Sequence, residues 1–390
     1  MECGLRSASN SLADAIVVIS DLLEERSSYP SPSGLPQIPH PDEVCAVQGG
    51  YLERLPLAAV RAGLVTRAEI WHHHRHGDSA SRNDGAFLTR RSFPLAGEGA
   101  PFHSEAMLEH IAAYGAPRIL CIWGLGVSEA ILQACRHSII IYNSIDVPAL
   151  RMPPEVSRHL DLVLTGAQWQ SDDVAARHHD MPTAILPIGP EFASPETFFP
   201  IPGPKLYDVV YVAAAQPYKC HDMLFAALAR SPRPLKALCV FGYGEDSDRL
   251  RHEAAALGLD IDFVGPPGVS HSEVNRLMNQ ARVGVVCGVD DGAPAILTEY
   301  MLAGLPVVAN ADLRCGLHYI LPQTGIAAPA DRFEHAVIEA LDRTDFRPRE
   351  TVLERWTWPH TIKRLSALID TLPRHRSEAQ RQEKLVGEPA

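Results

Sequence analysis

The first 200 residues contain no lysine. Their charge comes from 14 arginines against 23 Asp and Glu, a net of -9, and residues 201–390 carry 21 basic and 24 acidic residues, a net of -3; together they make the whole-chain -12. A chain of this sign repels phosphate backbones and acidic headgroups, so nucleic-acid binding is not expected and membrane contact is at most peripheral. Arg75, Arg82, Arg90 and Arg91 gather in one expected loop region, a local exception. Long apolar runs are also missing. The stretches Ile119 to Trp123 and Val209 to Ala215 sit in runs of about ten residues, against the ~18 to 20 that a spanning helix needs. The N-terminal MECGLRSASNSLADAIVVISDLLEE shows no basic n-region, apolar run or small-residue cleavage site, which predicts a cytoplasmic location. No C-x-x-C pair occurs among the eight cysteines at 3, 45, 121, 135, 220, 239, 287 and 315, so reduced, buried thiols are expected rather than a zinc or redox motif. What is plentiful is apolar residues, 46% over 390 positions, enough to fill two cores and to exclude a disordered chain.

From about residue 43, short apolar runs alternate with helical periodicity, the pattern of parallel strands joined by crossover helices. In the first half, 44–48, 69–73, 118–123, 138–142, 162–165 and 183–187 read as strands, with helices clearest at 104–114 and 127–135. Ahead of them, Leu12, Ala15, Ile16, Ile19, Leu22 and Leu23 fall on one helical face, which predicts a docked amphipathic helix followed by a Pro- and Ser-rich loop over 29–42. The Pro-rich segment between Gly189 and Tyr207 has the composition of a linker. Beyond it the alternation resumes, with strands at 209–213, 236–241, 261–264, 283–287 and 306–309 and helices at 221–229, 248–257, 273–280 and 294–303. The expectation is therefore an N-terminal domain over 1–198, a C-terminal domain over 199–355, a helix over 356–372 and a polar tail over 373–390.

The densest chemical signal is Asp291-Gly292-Ala293-Pro294-Ala295-Ile296-Leu297-Thr298-Glu299. Gly292 can turn sharply after a buried strand, Pro294 suits the first helical position and Gly304 the residue past the helix end. A helix N-terminus at the carboxyl end of a strand, here the stretch Pro294, Ala295 and Ile296, faces the crevice where open α/β sheets bind ligands, and free N–H groups at such a terminus favour phosphate. From spacing alone, Asp291 and Glu299 either face one ligand or serve as a dipole-complementing acid and a solvated surface glutamate.

From Tyr207 to Ala328 the order of elements and motifs resembles the nucleotide-binding half of the retaining glycosyltransferases of family 4, the glycosyl transferases group 1 type with the GT-B fold. DVVYVAAAQPYKCHDMLFAAL resembles that family's strand, cationic loop and helix, with Lys219 on the donor-phosphate lysine. CVFGYGEDSDRL resembles the G-x-G strand end at Gly242 and Gly244, and DGAPAILTEYMLAGLPVV the signature of two acids separated by seven residues. The N-terminal half is similar more loosely: VQGGYLERLPLAAVRAGL to the glycine-rich acceptor-side loop, with Gly49 and Gly50, and DLVLTGAQWQSDDV with ILPIGPEFASPETFFP to the elements before the domain crossover. The resemblance implies a GT-B-like α/β fold, two Rossmann-like doubly wound domains facing a cleft with a C-terminal helix crossing back. It also implies metal-independent transfer with retention from a UDP- or GDP-sugar to a glycan, lipid-linked or small-molecule acceptor, as in polysaccharide biosynthesis, with no cofactor beyond the donor substrate. Lys219 would stabilise the departing diphosphate, Asp291 would hold sugar hydroxyls and Glu299 the ribose hydroxyls. Asn143 and Asp146, after the fourth strand, would point into the cleft, to touch an acceptor or to make a turn.

Two positions depart from the pattern. The signature opens with Asp291 in place of the family's Glu, and Ala214 stands where the family has an arginine five residues before the lysine. Losing a bidentate charge-assisted contact at a diphosphate costs ~1.5 to 3 kcal/mol. Either the helix N-terminus and another cation, Arg314, compensate, or the chain is a nucleotide-sugar-binding partner with little or no turnover; an epimerase on the same fold is a third alternative. Two further patterns carry less. Gly124-Leu-Gly126-Val-Ser-Glu129 imitates a dinucleotide fingerprint, with Asp146 twenty-two residues beyond Gly124, but Glu129 occupies the third glycine position, so a tight turn on the cleft is expected. His72, His73 and His74, with His76 nearby, alternate faces on an extended segment and cannot all meet one ion, and His103 and His110 read as polar-face helix residues.

Overall fold

The computed structural model describes residues 12–26 and 43–373. The expected loop 29–42 and all but the first residue of the expected tail lie outside the described residues. In chain order the first half comprises β1 (Ala13–Arg26), α1 (Tyr51–Arg61), β2 (Arg67–His76), β3 (Ala80–Asn83), β4 (Leu88–Pro94), α2 (Glu105–Tyr114), β5 (Pro117–Trp123), α3 (Glu129–Ala134), β6 (Ile139–Asn143), α4 (Pro154–Ser157), β7 (Leu162–Thr165), α5 (Gln168–Arg177) and β8 (Thr183–Ile185). The second half comprises β9 (Tyr207–Val212), α6 (His221–Arg230), β10 (Ala237–Val240), α7 (Ser247–Ala256), β11 (Ile261–Val264), α8 (His271–Met278), β12 (Ala281–Val286), α9 (Ile296–Leu302), β13 (Val307–Asn310), β14 (Gly325–Ala328), α10 (Phe333–Asp342), α11 (Pro348–Arg355) and α12 (Trp358–Thr371).

Two separate sheets form. The first runs β3-β4-β2-β1-β5-β6-β7-β8, parallel except for β3, which lies antiparallel on β4 at the edge. The second runs β11-β10-β9-β12-β13-β14, all parallel, which in order of appearance is the 3-2-1-4-5-6 arrangement of a doubly wound nucleotide-binding sheet. Each sheet has its topological switch between the first strand and the fourth parallel one, at β1/β5 and at β9/β12. Crevices open at the carboxyl ends of those strands.

Alternation along β1 builds the first core. Ile16 and Val18 face a layer holding Leu55 and Ala58 of α1 and Ile362, Leu365 and Ile369 of α12, while Val17 and Ile19 face Met107, Ile111, Ile131 and Val174. α12 therefore packs on the first sheet although it follows the second. It is tied there by Glu191, whose backbone carbonyl accepts from Thr361 at 2.5 Å and whose carboxylate pairs with Arg364 at 3.1 Å. The second sheet is likewise covered on both faces, by α6 and α10 on one and by α9 and α11 on the other. No helix among the described residues is long and apolar enough to cross a membrane.

Three expectations change. The N-terminal amphipathic helix is strand β1, central in the first sheet between β2 and β5. Ala15 to Ser20 are all buried, and Leu22, assigned to the apolar helical face, is 53% exposed. A parallel strand covered on both faces reads as a continuous apolar run, and AIVVI, rich in β-branched residues, is one. Residues 44–48 do alternate, with Cys45 and Val47 buried, yet they form no ladder. The expected arginine-rich loop is largely β2, β3 and β4. Its charge is neutralised locally: Arg90 pairs with Glu53 at 2.5 Å and Asp84 at 2.7 Å, and Arg91 with Glu69 at 2.7 Å. The adjacent histidines are interior residues of β2. Burial pushes His72 and His73 down to about 4, so both are neutral at physiological pH.

Candidate functional site

The site begins at the switch point of the second sheet. After β9, the chain makes a 3-10 turn over Pro217–Lys219, fixed by the Tyr211 hydroxyl donating to the Lys219 carbonyl at 2.6 Å. Gly244 clamps this loop from the β10 side. Its φ is +121°, a Cβ there would fall 2.2 Å from the Ala215 carbonyl oxygen, and the Ala215 N–H donates to the Tyr243 carbonyl at 2.7 Å. The lysine side chain crosses the Tyr218 ring at 4.8 Å and forms a close ion pair with Asp291, which follows β12. Asp291 in turn accepts from the Ala293 N–H at 3.3 Å, ordering the turn into α9. That helix starts at Ile296, two residues later than Pro294 suggests, because Pro294 and Ala295 form the preceding turn.

Lys219, Asp291, Pro294, Ala295 and Ile296 line a cavity of about 250 Å³ whose opposite wall is Tyr51, Ile145 and Asp146 of the first half. A wider space of about 590 Å³ continues from it past Asp146, Arg151, Gln216, Tyr218 and Arg314. Arg314 stacks on Trp169 of the first half, 4.3 Å from the ring, and the Trp169 indole N–H donates to the Arg314 carbonyl at 3.0 Å. Among the described residues Arg314 has no carboxylate partner. The crevice thus offers Lys219, paired with Asp291, in the narrower cavity and the Arg314 guanidinium in the wider one, with the carboxylates of Asp146 and Asp291 lining both. Arg151 pairs with Asp146 at 3.0 Å.

Glu299 lies on α9 one turn behind Ala295, to whose carbonyl its N–H donates at 3.2 Å. Its carboxylate is joined at 2.5 Å to Arg54 of α1, a side chain with 0% exposure. Gly49 and Gly50 sit at the start of that helix. Gly49 takes φ +88° and donates its N–H to Thr197 Oγ1 at 3.1 Å, while a Cβ on Gly50 would fall 2.7 Å from His271 of the second half. Asn143 ends β6 and is buried, its Oδ1 accepting from the Ile188 N–H at 3.0 Å, so it buttresses the cavity wall from behind. Gly242 is not among the residues lining either cavity, although its neighbour Tyr243 is, and a Cβ on it would meet no atom within 4 Å; its carbonyl packs 3.0 Å from the position of a Cβ on Gly268.

The Gly124 and Gly126 turn lies at the switch point of the first sheet. Gly124 and Gly126 take φ of +53° and +75°, the left-handed region that favours glycine, and a Cβ on either would also displace the end of the Asp21 or Met152 side chain. Asp21, Arg54, Tyr51 and Arg151 are not singled out by the sequence. Burial and the nearby Asp146 charge raise the Asp21 pKa, making it a second carboxyl at the first half's crevice. Tyr51 stacks on Trp123 at 5.0 Å while remaining 48% exposed at the cavity. Among the described residues no group of His, Cys, Asp and Glu is arranged to hold a metal ion.

Residues 196–347 match the family model described as Glycosyl transferases group 1. The sequence matches no curated protein. Among solved structures, the chain is similar to sucrose-phosphate synthase from Thermosynechococcus elongatus at 17% identity and TM-score 0.61, covering 91% of this chain and 98% of that one. It is similar to HepE of Anabaena, solved in complex with UDP and glucose, at 13% identity and TM-score 0.61, covering 92% and 100%. It is similar at 11% identity and TM-score 0.54 to the pneumococcal O-GlcNAc transferase GtfA, solved with UDP and GlcNAc, covering 71% of this chain and spanning only 62% of that one. Identities this low speak to the fold. The chain has the GT-B architecture of two α/β domains, and its residues 196–347 carry a glycosyl transferases group 1 domain.

Proposed function

We propose that the protein is a retaining, metal-independent glycosyltransferase of family 4 that moves a sugar from a UDP- or GDP-sugar to a glycan, lipid-linked or small-molecule acceptor. The observation that carries the reading is the convergence of Lys219, Asp291 and the start of α9 on one cavity between the halves, at the switch point of the second sheet. Negative charge grows on the bridging oxygen as the sugar leaves, so a fixed cation stabilises the transition state more than the ground state. Lys219 supplies that cation, and Arg314, facing the adjoining space without a carboxylate partner among the described residues, takes the place of the arginine replaced by Ala214. Asp291 holds sugar hydroxyls and Glu299 the ribose hydroxyls, both as acceptors. Gly242 and Gly244 shape the loop above the base, while Gly49, Gly50, Asn143 and Asp146 build the acceptor side. The departing phosphate assists deprotonation of the acceptor on the same sugar face, which gives retention.

The test is incubation of the full chain with UDP- and GDP-sugars and a panel of acceptors, with the anomeric configuration of the product read by NMR and the assay repeated with EDTA. Inversion, or loss of activity with EDTA, counts against the mechanism. Ala214 supports one competing reading, a donor-binding partner without turnover. Tight donor binding by calorimetry with no transfer to any acceptor favours it.

A further inference from the structure

Arg54 is the largest charged side chain wholly buried among the described residues, and no catalytic step above uses it. Its fork reaches three places at once: Nε donates to the Gly49 carbonyl at 3.3 Å, Nη1 to the Gly189 carbonyl at 3.2 Å and Nη2 to Glu299 Oε1 at 2.5 Å. The first contact belongs to the acceptor-side glycine loop, the second to the connector after β8, and the third to a helix of the other half. The connector touches the site itself, since a Cβ on Gly189 would stand 3.2 Å from the Cβ of Ala295 and 3.6 Å from that of Tyr51, both of which line the cavity. The two carbonyl contacts are a local tie within the first half. The third contact instead fixes one oxygen of a carboxylate one turn behind the cavity wall. Among the described residues Oε2 of Glu299 has no hydrogen-bond partner, and an ionised carboxylate only accepts.

We propose that Arg54 is a positioning residue for the nucleotide: it anchors Glu299 through Oε1 and leaves Oε2 to accept the vicinal hydroxyls of the donor's ribose. Donor recognition by one half is then set by an arginine of the other. The inference rests on the reading that Glu299 meets the ribose.

The experiment measures binding of UDP and of GDP to the full chain by calorimetry, each beside its 2′,3′-dideoxy form. A charge-assisted contact to the ribose makes the wild type prefer the ribose form by about tenfold or more. Arg54→Gln brings that ratio below about threefold while the dideoxy affinity changes little, because the cations offered to the diphosphate, Lys219 and Arg314, are left in place. Arg54→Lys keeps the charge without the fork and lies between. An unchanged ratio in Arg54→Gln, with only a lower Tm, overturns the proposal and leaves Arg54 a structural tie. Should Arg54→Gln fail to fold, Arg54→Lys decides, an unchanged ratio again overturning it. A wild type that prefers the ribose form through a residue other than Glu299, shown by an intact ratio in Glu299→Gln, overturns both the Glu299 reading and this one. Binding of neither UDP nor GDP overturns the nucleotide-sugar reading, and this inference with it.

Discussion

Glu299→Ala is the variant that the two-acid signature invites, and the structure predicts that its first effect falls on stability. Removing the carboxylate leaves the guanidinium of Arg54 with two carbonyl partners, no counter-charge and 0% exposure. Breaking a buried pair by deleting one partner costs ~3 to 5 kcal/mol, several times the ~1 kcal/mol upper range of an exposed pair. At ~2 to 4 °C per kcal/mol for a half of this size, Tm should fall by roughly 10 °C. Glu299→Gln keeps an oxygen facing Nη2 and should fall by no more than about half as much. Arg54→Ala strands a carboxylate that is 13% exposed and can recruit water, and it also removes packing over the Phe198 ring, 5.4 Å away. The double variant Arg54→Ala with Glu299→Ala should therefore be less destabilised than the two single losses combined. Differential scanning calorimetry of the four proteins measures this directly. A Tm for Glu299→Ala within about 2 °C of wild type would refute the buried-pair reasoning, since that shift corresponds to less than ~1 kcal/mol.

The second half is legible in the sequence as far as β13 because those strands are short apolar runs separated by helices of 3.6 periodicity, and β11 at Ile261–Val264 matches the expected span residue for residue; β14 at Gly325–Ala328, reached from β13 through a 3-10 turn and not a helix, is missed. The start of α9 is offset because Pro294 and Ala295 have turn partners that only the folded chain supplies. Strand β1 misleads for a physical reason. Burial on both faces removes the alternation that marks a strand, and the Ala15, Ile16, Ile19 and Leu23 spacing imitates a helical face. Arg54 is illegible for another reason, because its meaning lies in a partner 245 residues away. Within α1 it is only an arginine among Leu55, Ala58 and Ala59. Gly244 is visible as one half of a G-x-G pair, yet the need for it lies in the Ala215 backbone, which local sequence does not show.

Lys219→Ala should lower kcat by ~10²-fold or more with a smaller loss of donor affinity, and Asp291, 15% exposed, is solvated enough for the fold to survive. Wild-type turnover with an intact circular dichroism spectrum would remove Lys219 from the mechanism. Arg314→Gln should weaken UDP or GDP about tenfold while leaving the corresponding nucleoside monophosphate less affected, as calorimetry can read; equal losses would place the arginine elsewhere than the diphosphate. Gly244→Ala should destabilise by ~2 kcal/mol or more through its φ of +121° and the overlap with the Ala215 carbonyl, and an unchanged Tm would refute that packing. Glu191, at the α12 crossover, makes stability depend on pH. Burial raises its pKa from 4.5 to about 7, the raising effect outweighing Arg364, Thr361 and Tyr319, which favour the charged form. Between those values the folded chain holds a proton that the unfolded chain has lost, so the free energy of unfolding declines as pH rises, by at most about 3 kcal/mol in all. Glu191→Gln keeps the neutral shape at every pH. Its Tm should equal wild type near pH 4.5 and exceed it by several degrees at pH 8, and a wild-type advantage at pH 8 would mean that Arg364 holds Glu191 ionised in the folded protein.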